Sequence, residues 1–394
     1  MNLVESRVVV KFGGADLSTG ENIRKAAEMV INAGYGETAV VVSAMGKSTD
    51  SLIETMSQVG EISDKEYAEI VSMGERTSAR LFCAALEVKG APALLIEPSM
   101  AEWPIVTDSN YREATPNLEE TCRRTQRFLE PVLSKKIPVI CGFLGIDESG
   151  NITTLGRGGS DTTALLLANS LRAEEVILVK DTDGIMTADP KLVPEAKLLG
   201  RISAYEMFVL SHGGAKVVKP EALKYKLPEQ KLRIVSFSDG LRSQGTEIYG
   251  ALHSDSPGIK ERKNLTAISV LSEINPENLS ILFSRLKKPV YGISTAEGSL
   301  TLFTSKEEGE EILKDLHNLD ICKAVSSRER VAMIQLTNPM LINSPRWNEK
   351  LTDALMSKSL DIIEITTNRA STNIFVDESK LEYAIRVVRN LVET

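Results

Sequence analysis

Histidine and cysteine are scarce in this chain, and their placement removes several chemistries at once. The three histidines, His212, His253 and His317, stand at no i+3 or i+4 spacing to one another, so a histidine-based metal cage has no framework. The four cysteines, Cys83, Cys122, Cys141 and Cys322, form neither a CxxC pair nor a dense array. That excludes a zinc ribbon and a disulfide scaffold, and it fits reduced thiols. No apolar run approaches the roughly 18 residues that cross a bilayer, and the opening MNLVESRVVV lacks the apolar core of a secretory signal. The expected compartment is the cytoplasm, with no membrane partner. Basic excess is missing too: a net charge of −8 argues against nonspecific nucleic-acid binding, which relies on a cationic surface to release counterions. Neither GxxxxGK[ST] nor GxGxxG follows the first strand-like run, which removes the P-loop and dinucleotide fingerprints.

What is present is the composition of a folded protein, 42% hydrophobic and 25% charged over 394 residues, enough for two or three domains. Short β-branched runs at residues 7–11, 38–43, 137–142 and 176–179 read as buried strands. They alternate with helix-period segments beginning at Glu21, Asp64, Asn117 and Asp161, so the first fold class is α/β with a mostly parallel sheet covered on both faces. Residues 237–264 are rich in glycine, serine and charge with little periodicity, and a domain boundary is expected near residue 260. Two units of about 65 residues follow, each reading strand, helix, strand, strand, helix. The expected domains are 1–250, 262–327 and 328–394.

Three polar segments interrupt the first domain. Lys11, Gly13 and Gly14 close the first strand; glycine lets backbone approach a phosphate, and a lysine at a strand's end offers a compact positive charge to its oxygens. The segment TTLGRGGSD, residues 153–161, leads into an apolar helix, whose N-terminus favours an anion. Arg157 suits a carboxylate and Ser160 can orient it. Asp161 is either an N-cap or a carboxylate beside the transferred group. The third segment, KDTDGIMTADPK at residues 180–191, follows a strand's C-terminal end, where open α/β sheets bind ligands.

Together with VVVSAMGKSTD at 40–50, SMGERTSARL at 72–81 and GGAKVVKP at 213–220, these segments resemble the amino-acid kinase family, and within it the aspartate kinases. The resemblance spans residues 8–220, and the C-terminal pair resembles α+β ACT regulatory domains of ferredoxin-like fold. It implies a three-layer kinase domain that uses ATP and Mg2+ to phosphorylate the β-carboxylate of L-aspartate, the first step toward lysine, threonine and methionine. Lys11 and Asp161 are then catalytic. Ser43, Thr49, Glu75, Arg157 and Ser160 hold aspartate, Glu75 on its ammonium and Arg157 on its α-carboxylate. Lys11, Gly13, Gly14, Lys180, Asp181, Met186, Lys191 and Lys216 line the nucleotide site, with Mg2+ held mainly by ATP and not by protein side chains.

The match departs in places. Ala15-Asp16 stands where the family has Thr-Ser, either weakening nucleotide binding by its charge or turning away to cap the following loop. Lys180 stands where a small or hydroxyl residue is usual. Residues 338–347 lack the glycines of effector-binding relatives, so the C-terminal pair is expected to build a homo-oligomer and not to take lysine or threonine. A silent amino-acid or nucleotide sensor, and a kinase for a related acid such as glutamate, are the alternative functions.

Overall fold

The computed structural model describes residues 6–215, 217–252, 258–286, 289–337, 346–357, 360–368 and 371–393. It divides into two compact units, Met1–Leu252 and His253–Thr394. In the first unit, β1 (Arg7–Phe12) is followed by α1 (Gly20–Ala33), β2 (Glu37–Val42), α2 (Ser48–Val59), α3 (Asp64–Val88) and β3 (Ala93–Ile96). Then come α4 (Leu118–Arg124), α5 (Glu130–Leu133), β4 (Ile137–Cys141), β5 (Leu144–Ile146), β6 (Ile152–Thr154), α6 (Gly159–Ser170) and β7 (Glu175–Lys180). The unit closes with β8 (Arg201–Ser203), α7 (Ala204–His212), β9 (Lys231–Ser236) and β10 (Thr246–Tyr249).

Eight of these strands form one sheet in the order β3-β4-β2-β1-β7-β9-β10-β8. All neighbours run parallel except β9 with β10. The central strands are apolar on both faces, with Val8, Val9, Val10, Val40, Val41 and Val42 at 1% exposure or less, because helices cover each side of a parallel sheet. Local chemistry sets the element ends: the Thr19 hydroxyl accepts from Asn22 N, and left-handed Gly34 (φ 59°) stops α1, a pattern worth about 1 kcal/mol at the N-cap. The four expected strands and four expected helices start within a residue or two of their predicted positions; β3, β5, β6, β8, β9, β10, α2 and α7 were not anticipated. The segment 145–154 is a β5–β6 hairpin whose turn is pinned by Asp147, a carboxylate that accepts from the backbone of Ser149 and Asn151.

The second unit is a six-stranded sheet, order β12-β13-β11-β14-β16-β15, antiparallel throughout. Its strands are β11 (Gly258–Ser272), β12 (Gly292–Ala296), β13 (Ser299–Ser305), β14 (Cys322–Thr337), β15 (Ile362–Thr367) and β16 (Thr372–Asp377). Helices α8 (Pro276–Arg285) and α9 (Lys306–His317) belong to the first half, and Trp347–Met356 and Leu381–Glu393 to the second. Strand, helix, strand, strand, helix therefore occurs twice within a single sheet. The two long strands pair along most of their length, with left-handed residues Asn264 (φ 57°) and Arg330 (φ 58°) where the register shifts. Phe303 and Phe375 stack at 3.6 Å between the two half-cores. The expected aperiodic boundary at 237–264 contains β10 and the start of β11; residues 260–264 are all exposed, so no apolar alternation marked that strand.

Candidate active site

The parallel sheet brings two sequence-distant strands side by side. Val10 of β1 pairs with Ile177 of β7 and Phe12 with Val179, so Lys11 and Lys180 both stand toward the C-terminal ends of adjacent strands, the end where open α/β sheets bind ligands. A cavity of about 690 Å3 at the opposite ends, lined by Ser6, Val8, Glu175 and Lys231, contains none of the residues singled out from the sequence.

Lys11 Nζ lies 2.9 Å from Asp161 Oδ1, and Lys180 Nζ lies 3.0 Å from Asp161 Oδ2. One carboxylate is shared by two ammoniums. Gly158, left-handed at φ 72°, takes the N-cap position of α6, so Asp161 sits inside the first turn with its carboxylate free to face the sheet. Burial by itself pushes the Asp161 carboxyl up, but Lys11 and Lys180 override it and hold the group well below the ordinary carboxylate range. Burial lowers the Lys11 ammonium, with Asp161 opposing and Lys180 adding to the fall.

The first glycine segment is folded against itself. Asp16 is buried, at 4% exposure, and its carboxylate accepts from Gly13 N at 3.0 Å. Asp16 therefore does not turn away to cap the following loop, as one alternative expected: it is buried facing the centre and binds back onto Gly13. Burial raises this carboxyl, opposed by the Gly13 N–H and by Lys11. Gly14 answers to a different neighbour: a Cβ there would lie 2.7 Å from Ala44 O and 3.0 Å from Gly46 O, and Gly46 N donates to Gly14 O at 2.8 Å. The glycine permits the loop after β2 to dock beside β1.

That docking builds a second polar cluster. Ser43 Oγ donates to Ser160 Oγ at 3.0 Å. Ala44 N donates to Glu75 Oε1 at 3.2 Å. Glu75, on α3, is 4% exposed, and its Oε2 is buried without a partner, as is the hydroxyl of Ser48. Desolvation pushes the Glu75 carboxyl up to about 8, against the Ala44 N–H. Gly74 lets α2 approach here, since a Cβ at that position would meet Ala44 Cβ at 2.8 Å and Thr49 Oγ1 at 3.5 Å. Thr49 is half-buried in the first turn of α2. The same motif on α3 also carries a strut: Arg76 Nε donates to Glu97 at 3.1 Å, and Arg80 pairs with the same carboxylate.

The remaining candidates are looser. Arg157 is exposed on the second glycine loop and makes no hydrogen bond or ion pair to another described residue. Asp181 is exposed and close enough to raise the Asp16 carboxyl. Met186 bridges to Leu198. Lys191 is exposed, its backbone N–H held by Asp189. Lys216 lies outside the described residues. Sequence reasoning missed Ser48, Gly74 and Gly142, where a Cβ would strike Ser160 at 2.7 Å; the motifs around them carried the only signal. It also missed Lys219, which donates to Leu155 O at 2.7 Å. No group of three or more histidine, cysteine, aspartate or glutamate side chains that could hold a metal ion exists among the described residues, and none of their helices is long and apolar enough to cross a membrane.

The arrangement is thus a buried carboxylate held by one buried and one half-buried lysine, next to an uncompensated buried acid. The sequence model of the amino acid kinase family matches residues 6–236. An aspartokinase of Corynebacterium glutamicum is 30% identical over 408 residues, covering 97% of this chain and 94% of that protein. One from Bacillus sp. (strain MGA3) is 29% identical, covering 98% and 97%. A crystal structure of aspartate kinase from Synechocystis superposes with a TM-score of 0.78 at 26% identity, covering 99% of this chain and 70% of that one.

Proposed function

The chain belongs to the amino acid kinase family, in its aspartokinase branch, and we propose that it transfers the γ-phosphoryl group of ATP to the β-carboxylate of L-aspartate. The observation that carries the choice of acceptor is the orphaned Oε2 of Glu75. A buried carboxylate oxygen without a donor costs on the order of 1–3 kcal/mol or more, and a substrate ammonium supplies the missing charge and hydrogen bond together. Ser43, Ser160 and Thr49 then offer hydroxyls to the substrate. Exposed Arg157 takes its α-carboxylate, with the planar fork that matches it.

The acceptor carboxylate is already ionised and needs no base. One of its oxygens forms a bond to the γ-phosphorus while the bond from that phosphorus to the bridging oxygen breaks, and the charge passes to ADP. Catalysis is then alignment of the two anions plus stabilisation of charge by Lys11. Asp161 keeps that ammonium aimed. Mg2+ would enter with the nucleotide and supply charge neutralisation at the transferring phosphates. Gly13, Gly14, Asp181, Met186, Lys191 and Lys216 line the nucleotide side in this reading, and the second unit joins copies of the chain.

An ATP-dependent hydroxamate assay with L-aspartate, L-glutamate and N-acetylglutamate tests the reading. Turnover with aspartate alone is expected. Turnover with another acceptor instead, or with none, overturns it.

A further inference from the structure

Two residues of the transfer centre, Asp16 and Lys180, carry opposite charges that the mechanism above does not use. They stand on different elements, one after β1 and one ending β7, yet each is in the electrostatic field of the other. Asp16 ties up the Gly13 N–H at 3.0 Å, one of the backbone donors that a glycine loop presents to a phosphate. Gly13 is itself beside the reacting cation, since a Cβ there would lie 3.1 Å from Asp16 Oδ2 and 3.8 Å from Lys11 Nζ. The first loop therefore has one fewer donor and one more negative charge.

Lys180 offsets both changes. Its ammonium reaches Asp161 Oδ1 at 3.2 Å and Oδ2 at 3.0 Å, so it shares with Lys11 the carboxylate that both lysines hold. Its side chain is 19% exposed while Asp161 is 5% exposed: the lysine forms part of the solvent-facing wall of the centre. An ammonium has three donors, and Asp161, already paired with Lys11, leaves some of those on Lys180 free for a ligand.

We propose that Lys180 is a second phosphate-binding cation of this centre, compensating for the Gly13 N–H that Asp16 withdraws. The inference rests on the kinase reading above and extends it. With nucleotide bound, Lys11 and Lys180 straddle the terminal phosphates from adjacent strands, and Asp161 sets their separation. Asp16 and Lys180 act as a matched pair: either one alone leaves the site with a charge imbalance.

The test uses the full chain and ADP titrated by calorimetry, a readout independent of the acceptor, alongside KM for ATP and the melting temperature. Lys180→Thr is expected to weaken ADP binding at least about tenfold and to raise KM for ATP in parallel, with a melting temperature close to that of the parent because Lys11 still neutralises Asp161. Lys180→Arg, which keeps the charge, recovers most of the affinity. Asp16→Ala added to Lys180→Thr regains at least about threefold over Lys180→Thr alone, since the freed Gly13 N–H can then meet a phosphate oxygen. The proposal is overturned by ADP affinity in Lys180→Thr within twofold of the parent, by no gain in the double variant, or by a collapse in melting temperature that assigns Lys180 to holding the fold. A parent protein that binds ADP but phosphorylates none of the three acceptors sinks the aspartate reading and leaves this one standing.

Discussion

The two units treat charge in opposite ways. The first buries Lys11, Asp16, Glu75, Glu97, Asp147, Asp161 and Lys226, whereas the buried polar residues of the second, among those described, are only Thr266, Ser272, Thr304, Ser371 and Thr372. Burying an ion costs several kcal/mol unless partners surround it. Some of the first unit's charges are fully satisfied: Lys226 Nζ donates to the carbonyls of Leu227, Gln230 and Gly250, and Glu97 holds two arginines. Glu75 is not: its Oε2 is buried without a partner, beside Ala44 in the loop after the C-terminal end of β2. A fold that retains under-partnered charge in one place and excludes charge elsewhere is keeping it for a ligand. The second unit buries only neutral polar groups among its described residues, with Thr266 Oγ1 and Trp347 Nε1 left without partners.

That contrast breaks most visibly at the shared carboxylate. Lys11→Ala and Asp161→Ala are each expected to lower kcat by at least about 100-fold, the scale of losing one preorganised electrostatic group. Steady-state kinetics at saturating ATP and aspartate check this, and near-normal turnover in either variant removes the residue from the transfer centre.

Glu75 gives the next largest effect, with a sign that separates a binding group from a structural one. Its carboxyl is pushed from an ordinary 4.5 to about 8, so between those values the folded ligand-free protein holds a proton that the unfolded chain has lost. Stability contributed by the protonated form is complete below the unfolded value and declines as pH rises toward 8. Glu75→Gln is expected to raise the melting temperature at pH 8 by a few degrees while raising KM for aspartate by about tenfold or more. In the parent, the ammonium must meet an ionised Glu75, so KM for aspartate falls as pH increases from 6.5 toward 8, and the glutamine variant flattens that profile. A destabilised Glu75→Gln with an unchanged pH profile makes Glu75 a strut.

Smaller still is the effect expected in the second unit. Asn275 caps α8 by accepting from Asn278 N at 2.8 Å, and Asn275→Ala should cost about 1 kcal/mol, read by denaturant unfolding, with kcat unchanged. Residues 272–283, around this cap, also lack the Pro-Gly turn that in effector-binding relatives leaves backbone N–H groups for an effector carboxylate. Calorimetric titration with lysine and with threonine is therefore expected to give no heat of binding; micromolar binding of either overturns the scaffold role. The segment 338–345, which carries the matching argument for the second half, lies outside the described residues.

The parallel strands were legible because residues such as Val8–Val10 and Val176–Val179 are buried on both faces and read as continuous apolar runs. Helix α2 was not, because Ser48–Val59 buries only Met56 and leaves little core packing to mark it. The exposed start of β11 escaped for a similar reason: its pairing with β14 is backbone hydrogen bonding, which leaves no mark in side-chain pattern. Of the site, Glu75 was legible through the motif around it, but its motif neighbours Arg76 and Arg80 turned out to serve packing through Glu97.

By itself the sequence determined the kind of chemistry: a lysine closing a strand and glycines before a helix specify a phosphate site, and the order of the motifs carries the resemblance that implies an amino-acid acceptor. Only the tertiary structure decided how those charges are shared. Pairing of β1 with β7 brings Lys11 and Lys180 to one carboxylate, Asp161, and Asp16 turns back onto Gly13 in the buried centre. Both outcomes are set by contacts between distant segments in a low-dielectric interior, where a change in neighbours of a few ångströms alters which ion is compensated. No local pattern encodes that.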